Sequence, residues 1–188
     1  MGTYFESKAF QQHRAKINGI LSSLPLQDNP KGWVRKFSAA VSGLTYIGFS
    51  ENYDCLLTVS SSGRGLWDLS TGERIGRIQE SEGTGLDESK LLCKGIGLIK
   101  DETIRVAGIC GGGLRSATEQ GEHLTLVSPF YPCHDVVFQP KYQDCFWKGH
   151  NQDCVIIFRG FVKQFGFSYS GDYLVITDED IHVWERTK

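Results

Sequence analysis

A mainly β protein with one N-terminal helix and about four repeated antiparallel units is the fold class that the sequence predicts. The 188 residues include 22 glycines and 12% aromatic residues, but only one methionine. This composition favours many turns between short strands over long helices. From Trp33 onward, short β-rich runs alternate with Gly, Asn and Asp turns, and similar segments recur. We therefore expect one compact domain with an appended N-terminal segment.

The N-terminal segment has the residue spacing of an amphipathic helix. Its apolar positions are Phe5, Ala9, Phe10, Ile17, Ile20 and Leu21, with Lys, Arg and Gln between them. This spacing predicts a helix over about residues 3–23. Pro25 and Pro30 then interrupt the pattern and indicate a linker. We expect a helix and linker over 1–31 and a β domain over 32–188.

Internal repeats are visible at two fixed shifts along the chain. At a shift of 49, Gly48, Gly63, Gly72 and Glu73 recur as Gly97, Gly112, Gly121 and Glu122. At a shift of 118, Gly48, Phe49 and Ser50 recur as Gly166, Phe167 and Ser168, followed by the Trp-acid pairs Trp67-Asp68 and Trp184-Glu185. The shift of 118 divided by three gives about 39 residues per unit, which predicts four units in the chain.

The four predicted units cover residues 44–78, 95–127, 133–160 and 162–186, and the third unit is degenerate. In the first unit the runs "LTYIGFS", "CLLTVSS" and "RGLWDLS" are joined by short turns, which predicts an antiparallel meander. A single unit cannot bury both of its faces, so the units are expected to pack in series.

These residues resemble the blades of a WD-repeat β-propeller. The resemblance rests on an F-S-x5-L pattern followed by a strand that ends in Trp-Asp and a T-G-E turn, and it covers about two-thirds of the chain. Neither good copy has the Gly-His dipeptide of the family, so the resemblance implies the architecture without its histidine network. It implies a small propeller-like array, as a closed ring, as an open array capped by the N-terminal helix, or as a half that dimerises.

One more strand is expected outside the four units. The last unit stops after its third strand, and "GWVRKFSA" at 32–39 is a strand without a sheet. Pairing it with the last unit would remove an exposed sheet edge.

Charge and targeting signals restrict the partners. The 20 Lys and Arg against 22 Asp and Glu give a formal charge of -2, so we expect no nucleic-acid partner. The N-terminus lacks a secretory leader, and no apolar run reaches 18 residues, which predicts a soluble cytoplasmic protein without membrane contact.

The six cysteines are far apart, without a C-x-x-C pair, and are predicted to be buried reduced thiols. They are Cys55, Cys93, Cys110, Cys133, Cys145 and Cys154.

Catalytic chemistry has few candidates in this sequence. The plausible nucleophile or metal set is Cys133, His134, His150 and Cys154. Cys133 and His134 are adjacent and would point to opposite faces of a strand, so we expect a thiol and a surface imidazole without a shared site. "GICGGG" at 108–113 lacks a following Lys-Ser or Lys-Thr and is interpreted as a turn. Neither a metal nor a cofactor is expected, and the chain is predicted not to be an enzyme.

Protein binding is the predicted function. Two acidic clusters are candidate contacts for a basic-surfaced partner on projecting loops. They are Glu80, Glu82, Asp87 and Glu88, and Asp178, Glu179 and Asp180. A narrower form of this prediction, made by analogy, is a bacterial immunity protein that occludes a cognate toxin. The alternatives are a thiol- or metal-dependent hydrolase and a binder of small molecules in a propeller channel.

The Trp-acid pairs are predicted to have structural roles. We expect Trp67 and Trp184 to pack between units and Asp68 to cap its turn.

Overall fold

The computed structural model describes residues 7–79, 85–129 and 131–187. In this part of the chain there is one α-helix, α1 (Lys8–Ser22), and the strands form four antiparallel sheets. The predicted mainly β class with an N-terminal helix is confirmed. In chain order the strands are β1 (Trp33–Ala40), β2 (Leu44–Phe49), β3 (Cys55–Ser60), β4 (Gly63–Asp68), β5 (Arg74–Gln79), β6 (Leu86–Asp87), β7 (Leu92–Lys94), β8 (Thr103–Arg105), β9 (Ala107–Gly108), β10 (His123–Val127), β11 (His134–Gln139), β12 (Val155–Gly160), β13 (Gln164–Phe167), β14 (Tyr173–Thr177) and β15 (Asp180–Arg186).

The sheets are named here in chain order. The first sheet has the order β5-β4-β3-β2-β9, the second β6-β7-β8, the third β10-β11-β12, and the fourth β1-β15-β14-β13. The predicted closing strand is confirmed, because β1 pairs with β15 from Trp33 opposite Arg186 to Ala40 opposite Asp180. The first strand of the domain therefore completes the sheet formed by the last three.

Apolar clusters give the order in which these sheets pack. Each cluster joins two neighbouring layers. The layers therefore pack in the order α1, third sheet, fourth sheet, first sheet and second sheet. The four clusters contain residues from both sides of each interface, for example Leu21 and Ile156, Phe138 and Trp184, Leu56 and Val183, and Leu57 and Ile104. The fourth and first sheets, which lie at opposite ends of the chain, are therefore neighbours.

The second and third sheets share no apolar interface among the described residues. A closed four-membered ring would require an apolar cluster that joins these two sheets. On β7 and β8, Lys94, Thr103 and Arg105 are exposed, and a polar outer face of this kind ends a stack of repeats. Of the three expected arrangements, the open array capped by α1 agrees with these contacts.

The segment that follows the second sheet runs along the inner edges of two other sheets. Ala107 and Gly108 of β9 pair with β2, and Arg115 bridges Phe167 of β13. The Gln164 amide also donates to the Gly108 carbonyl at 3.3 Å. In a propeller these inner strands would line the central channel. The chain itself pairs with these edges, and small-molecule binding in a propeller channel remains a prediction.

The prediction that residues 95–127 form one repeated unit is wrong. The strands of this segment belong to three sheets, since β8 lies in the second, β9 in the first and β10 in the third. Gly97 lies in a 3-10 turn, whereas its supposed equivalent Gly48 lies inside β2. The first glycine pair at the shift of 49 therefore joins residues of unlike conformation. In the later pairs, Gly63 with Gly112 and Gly72 with Gly121, both glycines have a positive φ.

The shift of 118 identified structurally equivalent residues in the first and fourth sheets. Ser50 and Ser168 follow the inner strands, and each hydroxyl accepts a backbone N–H at 3.1 Å, from Tyr53 in the next turn and from Tyr173 at the start of β14 respectively. Trp67 and Trp184 are buried between their own sheet and the preceding one in the stack, which confirms that they pack between units. Asp68 accepts the N–H groups of Ser70 and Thr71, so its predicted turn cap is also confirmed.

The cysteine prediction is confirmed for most positions. Four thiols are buried and all six are free. Cys133 is half-buried, and the prediction is wrong for Cys110, which is exposed because it lies in the turn after β9 and not in a strand.

Candidate functional site

A groove of about 690 Å³ lies between α1 and the loop that follows β11, and we name it the α1 groove. Its floor is apolar and its rim carries cationic side chains. The lining residues are His13, Lys16, Ile17, Ile20, Phe146, Trp147 and Lys148.

One wall of the α1 groove is the helix, which is capped at its N-terminus and held against the third sheet at its C-terminus. Ser7 caps the helix, its hydroxyl accepting the Phe10 N–H at 3.2 Å. Leu21 is buried against the third sheet. After the helix ends, Ile156 of β12 donates to the Pro25 carbonyl at 2.8 Å and accepts from the Gln27 N–H at 2.9 Å. The linker thus pairs with the edge of the third sheet and holds α1 beside it.

The other wall is the compact loop 144–150. The loop is closed by a hydrogen bond from the Asp144 N–H to the His150 carbonyl at 2.8 Å. Cys145 is fully buried beneath α1, and its N–H donates to the Gln139 side chain at 2.8 Å. Because Cys145 points inward, Phe146 and Trp147 are left outside. Their exposed fractions are 36% and 66%, which is high for side chains of this size.

The charged side chains among the described lining residues of the α1 groove are basic. Lys16 and Lys148 border it, and no carboxylate is among its described lining residues. Neither lysine forms an ion pair within the part of the chain that the structure describes. An apolar surface beside uncompensated positive charge is complementary to a chain segment that combines apolar and acidic residues.

The first acidic cluster is only partly within the described residues, because Glu80 and Glu82 lie outside them. Asp87 accepts the Ser89 hydroxyl at 2.7 Å and pairs with Lys90 at 3.1 Å. The hydrogen bond from Ser89 is the main reason that the pKa of Asp87 lies below its ordinary value. Glu88 accepts the Tyr46 hydroxyl at 2.9 Å.

The two described carboxylates of this cluster therefore also make contacts within the fold, although Glu88 itself is exposed. Asp87 belongs to β6 and holds the following turn, while Glu88 supports a buried tyrosine of the first sheet. Their role in binding a partner remains a prediction.

The second acidic cluster comprises the two-residue turn between β14 and β15 and the first residue of β15. Asp178 accepts the Asp180 N–H at 2.8 Å and the His182 Nε2 at 3.2 Å. Burial opposes ionisation of Asp178, but these hydrogen bonds and the imidazole outweigh it and lower its pKa. Glu179 is exposed and pairs with Lys163 at 3.1 Å. A basic partner would have to compete with these internal contacts.

A polar network that sequence reasoning missed joins β1 to β15. Arg35 Nη2 lies 2.7 Å from His182 Nδ1 and 3.0 Å from the Ser38 hydroxyl, which is itself 3.0 Å from Nδ1. A guanidinium has only donors, so Nδ1 must accept and Nε2 carries the proton that faces Asp178. The Ser-His-Asp order is that of hydrolases, but Arg35 already engages the lone pair that a general base would use. The network therefore holds β1 against β15.

The predicted cysteine and histidine candidates have separate surroundings. His134 is hydrogen-bonded to the Ser128 hydroxyl at 2.6 Å, and His150 packs edge-on against Trp147. Burial raises the pKa of the Cys154 thiol to about 11, so this thiol lacks the thiolate character of a nucleophile. Among the described residues no group of three or more His, Cys, Asp or Glu side chains could hold a metal ion.

Comparisons with known proteins identify no relative, so the function is argued from the structure of the site. Within the described residues, no helix has the length and apolar character needed to cross a membrane. The chain matches no protein-family model and is similar to no curated protein.

Proposed function

We propose that this chain is a non-catalytic protein-binding module that holds an acidic, amphipathic segment of another protein in the α1 groove. One observation carries the proposal. Phe146 and Trp147 are presented on an apolar floor beside Lys16 and Lys148, with no carboxylate among the described lining residues.

Two physical arguments support a protein partner for this groove. Exposed aromatic side chains gathered with other apolar groups mark interaction surfaces, and tryptophan is among the residues that contribute most to binding. An amphipathic helix lying in an apolar groove is a common recognition mode, and acidic residues on such a helix would meet Lys16 and Lys148 at the rim.

The narrower form of the proposal is an immunity protein that occludes a cognate toxin. It rests on the small domain and on analogy, and the α1 groove adds the chemistry expected of the toxin's contact segment. Such a segment would supply apolar side chains for Ile17 and Trp147 and carboxylates for the two lysines.

The test begins with the partner recovered from native lysate and then purified. Calorimetry would compare its affinity for wild type, Trp147→Ala and the double variant Lys16→Glu/Lys148→Glu. We expect each change to weaken binding at least about tenfold, the effect of losing about 1.4 kcal/mol at a binding hot spot. The double variant should also lose most of the salt dependence of the on-rate.

Matched controls separate the α1 groove from the rest of the surface. Phe161 is as exposed as Trp147, at 66%, and lies outside the groove, so Phe161→Ala should bind like wild type. Lys100→Glu, in the exposed turn before β8, should do the same. Full affinity in Trp147→Ala, or an equal loss in Phe161→Ala, would refute the proposed site.

A further inference from the structure

A second cleft lies between the first and fourth sheets, away from the α1 groove. Its volume is about 240 Å³, and it is bordered by the end of β1 and by β3, β4 and β5. Hydroxyl groups and arginines dominate its lining, and no carboxylate is among its described lining residues. We name it the arginine cleft.

Glycines on β4 explain why the arginine cleft is open. Gly65 lies on the same face of β4 as Trp67, and a Cβ at Gly65 would be 2.8 Å from the Thr58 hydroxyl oxygen. In the antiparallel register Arg77 pairs with Gly65 and Arg74 pairs with Trp67. Directly opposite residues of two strands share a face, so both arginines are on the side of the cleft.

The positive charge of the arginine cleft is uncompensated in the described part of the chain. Neither the Arg74 nor the Arg77 guanidinium has a hydrogen-bond or ion-pair partner there, and the Arg74 guanidinium lies 5.9 Å from the Trp67 ring centroid. Arg64 also borders the cleft, but side-chain alternation along β4 places its guanidinium on the opposite face from Gly65 and Trp67, where its Nη1 donates to the Lys94 carbonyl. Arg74 and Arg77 are exposed and have no counterion among the described residues, so their charge would attract an anion.

The hydroxyl groups of Ser60 and Ser62 line the same cleft as Arg74 and Arg77. Ser60 donates to the Gly63 carbonyl at 3.1 Å, and the exposed Ser62 lies 3.1 Å from the Ser60 hydroxyl. The Ser62 hydroxyl can therefore turn toward a ligand without breaking a buried bond. Planar guanidinium groups with neighbouring hydroxyls are the donors that phosphate oxygens prefer.

We propose that the arginine cleft binds a phosphate group, as inorganic phosphate or as a small phosphomonoester, through Arg74, Arg77 and the Ser62 hydroxyl. The volume is below the roughly 300–1,000 Å³ of ordinary small-molecule sites, so it suits a phosphoryl group with few attached atoms. The inference is independent of the partner proposed for the α1 groove.

The test titrates the whole protein with inorganic phosphate and, separately, with O-phosphoserine, at constant ionic strength. Calorimetry and thermal melting are the readouts. We expect saturable binding of at least one of them, with a higher Tm, and at least tenfold weaker binding by Arg74→Gln and by Arg77→Gln. Tighter binding of O-phosphoserine would identify a phosphomonoester as the ligand, and equal or tighter binding of phosphate would identify the free ion.

The matched control is Arg14→Gln, an exposed arginine on α1 that should leave phosphate binding unchanged. Circular dichroism would verify that each variant is folded. The proposal is overturned if neither compound binds saturably, or if Arg14→Gln weakens binding as much as Arg77→Gln. In that event the arginines of β5 serve only to protect an edge strand from pairing with other chains.

Discussion

Glu122 shows how one side chain joins two sheets. Its carboxylate accepts the Trp33 indole N–H at 3.1 Å, the Thr118 hydroxyl at 3.0 Å, and two bonds from Arg186 at 3.0 and 2.6 Å. Glu122 directly precedes the third sheet, whereas Trp33 and Arg186 belong to the fourth. The Arg186 guanidinium also lies 4.6 Å from the Trp33 ring centroid. The repeat-equivalent Glu73 is exposed instead.

We predict that Glu122→Gln lowers the free energy of unfolding by about 2–3 kcal/mol, because Arg186 and Trp33 lose a charged acceptor in a largely buried setting. Urea unfolding at pH 7 would measure the change. Glu73→Gln is the matched control and should change stability by about 0.5 kcal/mol or less. Equal effects of the two variants would contradict this role of Glu122.

The same carboxylate predicts a pH dependence. Burial opposes ionisation of Glu122, but hydrogen bonds from Arg186, Trp33 and Thr118 outweigh it and lower its pKa from the ordinary value of 4.5. A lowered folded-state pKa adds stability that is fully present above about pH 4.5 and is lost as the pH falls through the folded value. The stability difference between wild type and Glu122→Gln should therefore be constant near neutrality and shrink below about pH 4.5. Urea unfolding from pH 7 to 3 would show this, and a constant difference throughout would refute it.

At the scale of the element, β1 and α1 contribute differently although they are consecutive. β1 supplies the edge of the fourth sheet and brings Trp33 into the cluster that joins the third and fourth sheets. α1 covers the outer face of the third sheet with Leu21. Trp184 connects the two regions, since its indole N–H donates to the Asp28 carbonyl at 2.6 Å. The linker therefore belongs to the fold of the β domain.

We predict that deleting residues 1–24 removes the helical signal in circular dichroism but leaves a cooperatively unfolding β domain, whereas deleting residues 1–40 abolishes cooperative unfolding. The longer deletion leaves β15 as a bare edge and opens the cluster around Trp184. Thermal melts of both variants would test this. Equal cooperativity in the two deletions would show that β1 is dispensable.

At the scale of the whole molecule, the described apolar clusters link the sheets in series, so that interior sheets share clusters with two neighbours and the second sheet with one. The fourth sheet is covered on both faces, by the third and the first. The second sheet packs only on the first among the described clusters, and its strands are two or three residues long. In such arrays stability depends on the interfaces between adjacent units.

We predict that the second sheet opens locally more often than the fourth. Hydrogen exchange measured by mass spectrometry should show faster exchange for amides of β7 and β8 than for those of β14 and β15. Peptides covering β3, in the first sheet, are the internal reference and should resemble the fourth sheet. Uniform protection across all four sheets would contradict this packing in series.

The sequence by itself determined the features that depend on neighbouring residues. Apolar spacing and turn chemistry were enough to predict α1, the meander over 44–78 and the last unit over 162–186. The equivalence of Trp67 and Trp184 was also visible, because each lies at the same place in its own unit. The closing strand β1 was predictable because an unpaired strand and an incomplete unit were both apparent.

Only the tertiary structure decided which distant segments meet. It placed residues 95–127 in three sheets and joined Glu122 to Arg186 across 64 positions of the chain. The α1 groove likewise needs Ile17 and Trp147 side by side, and no local pattern relates them. The physical reason is that backbone geometry and turn preference act over a few residues. Burial and charge pairing depend instead on packing between segments that are far apart in the sequence.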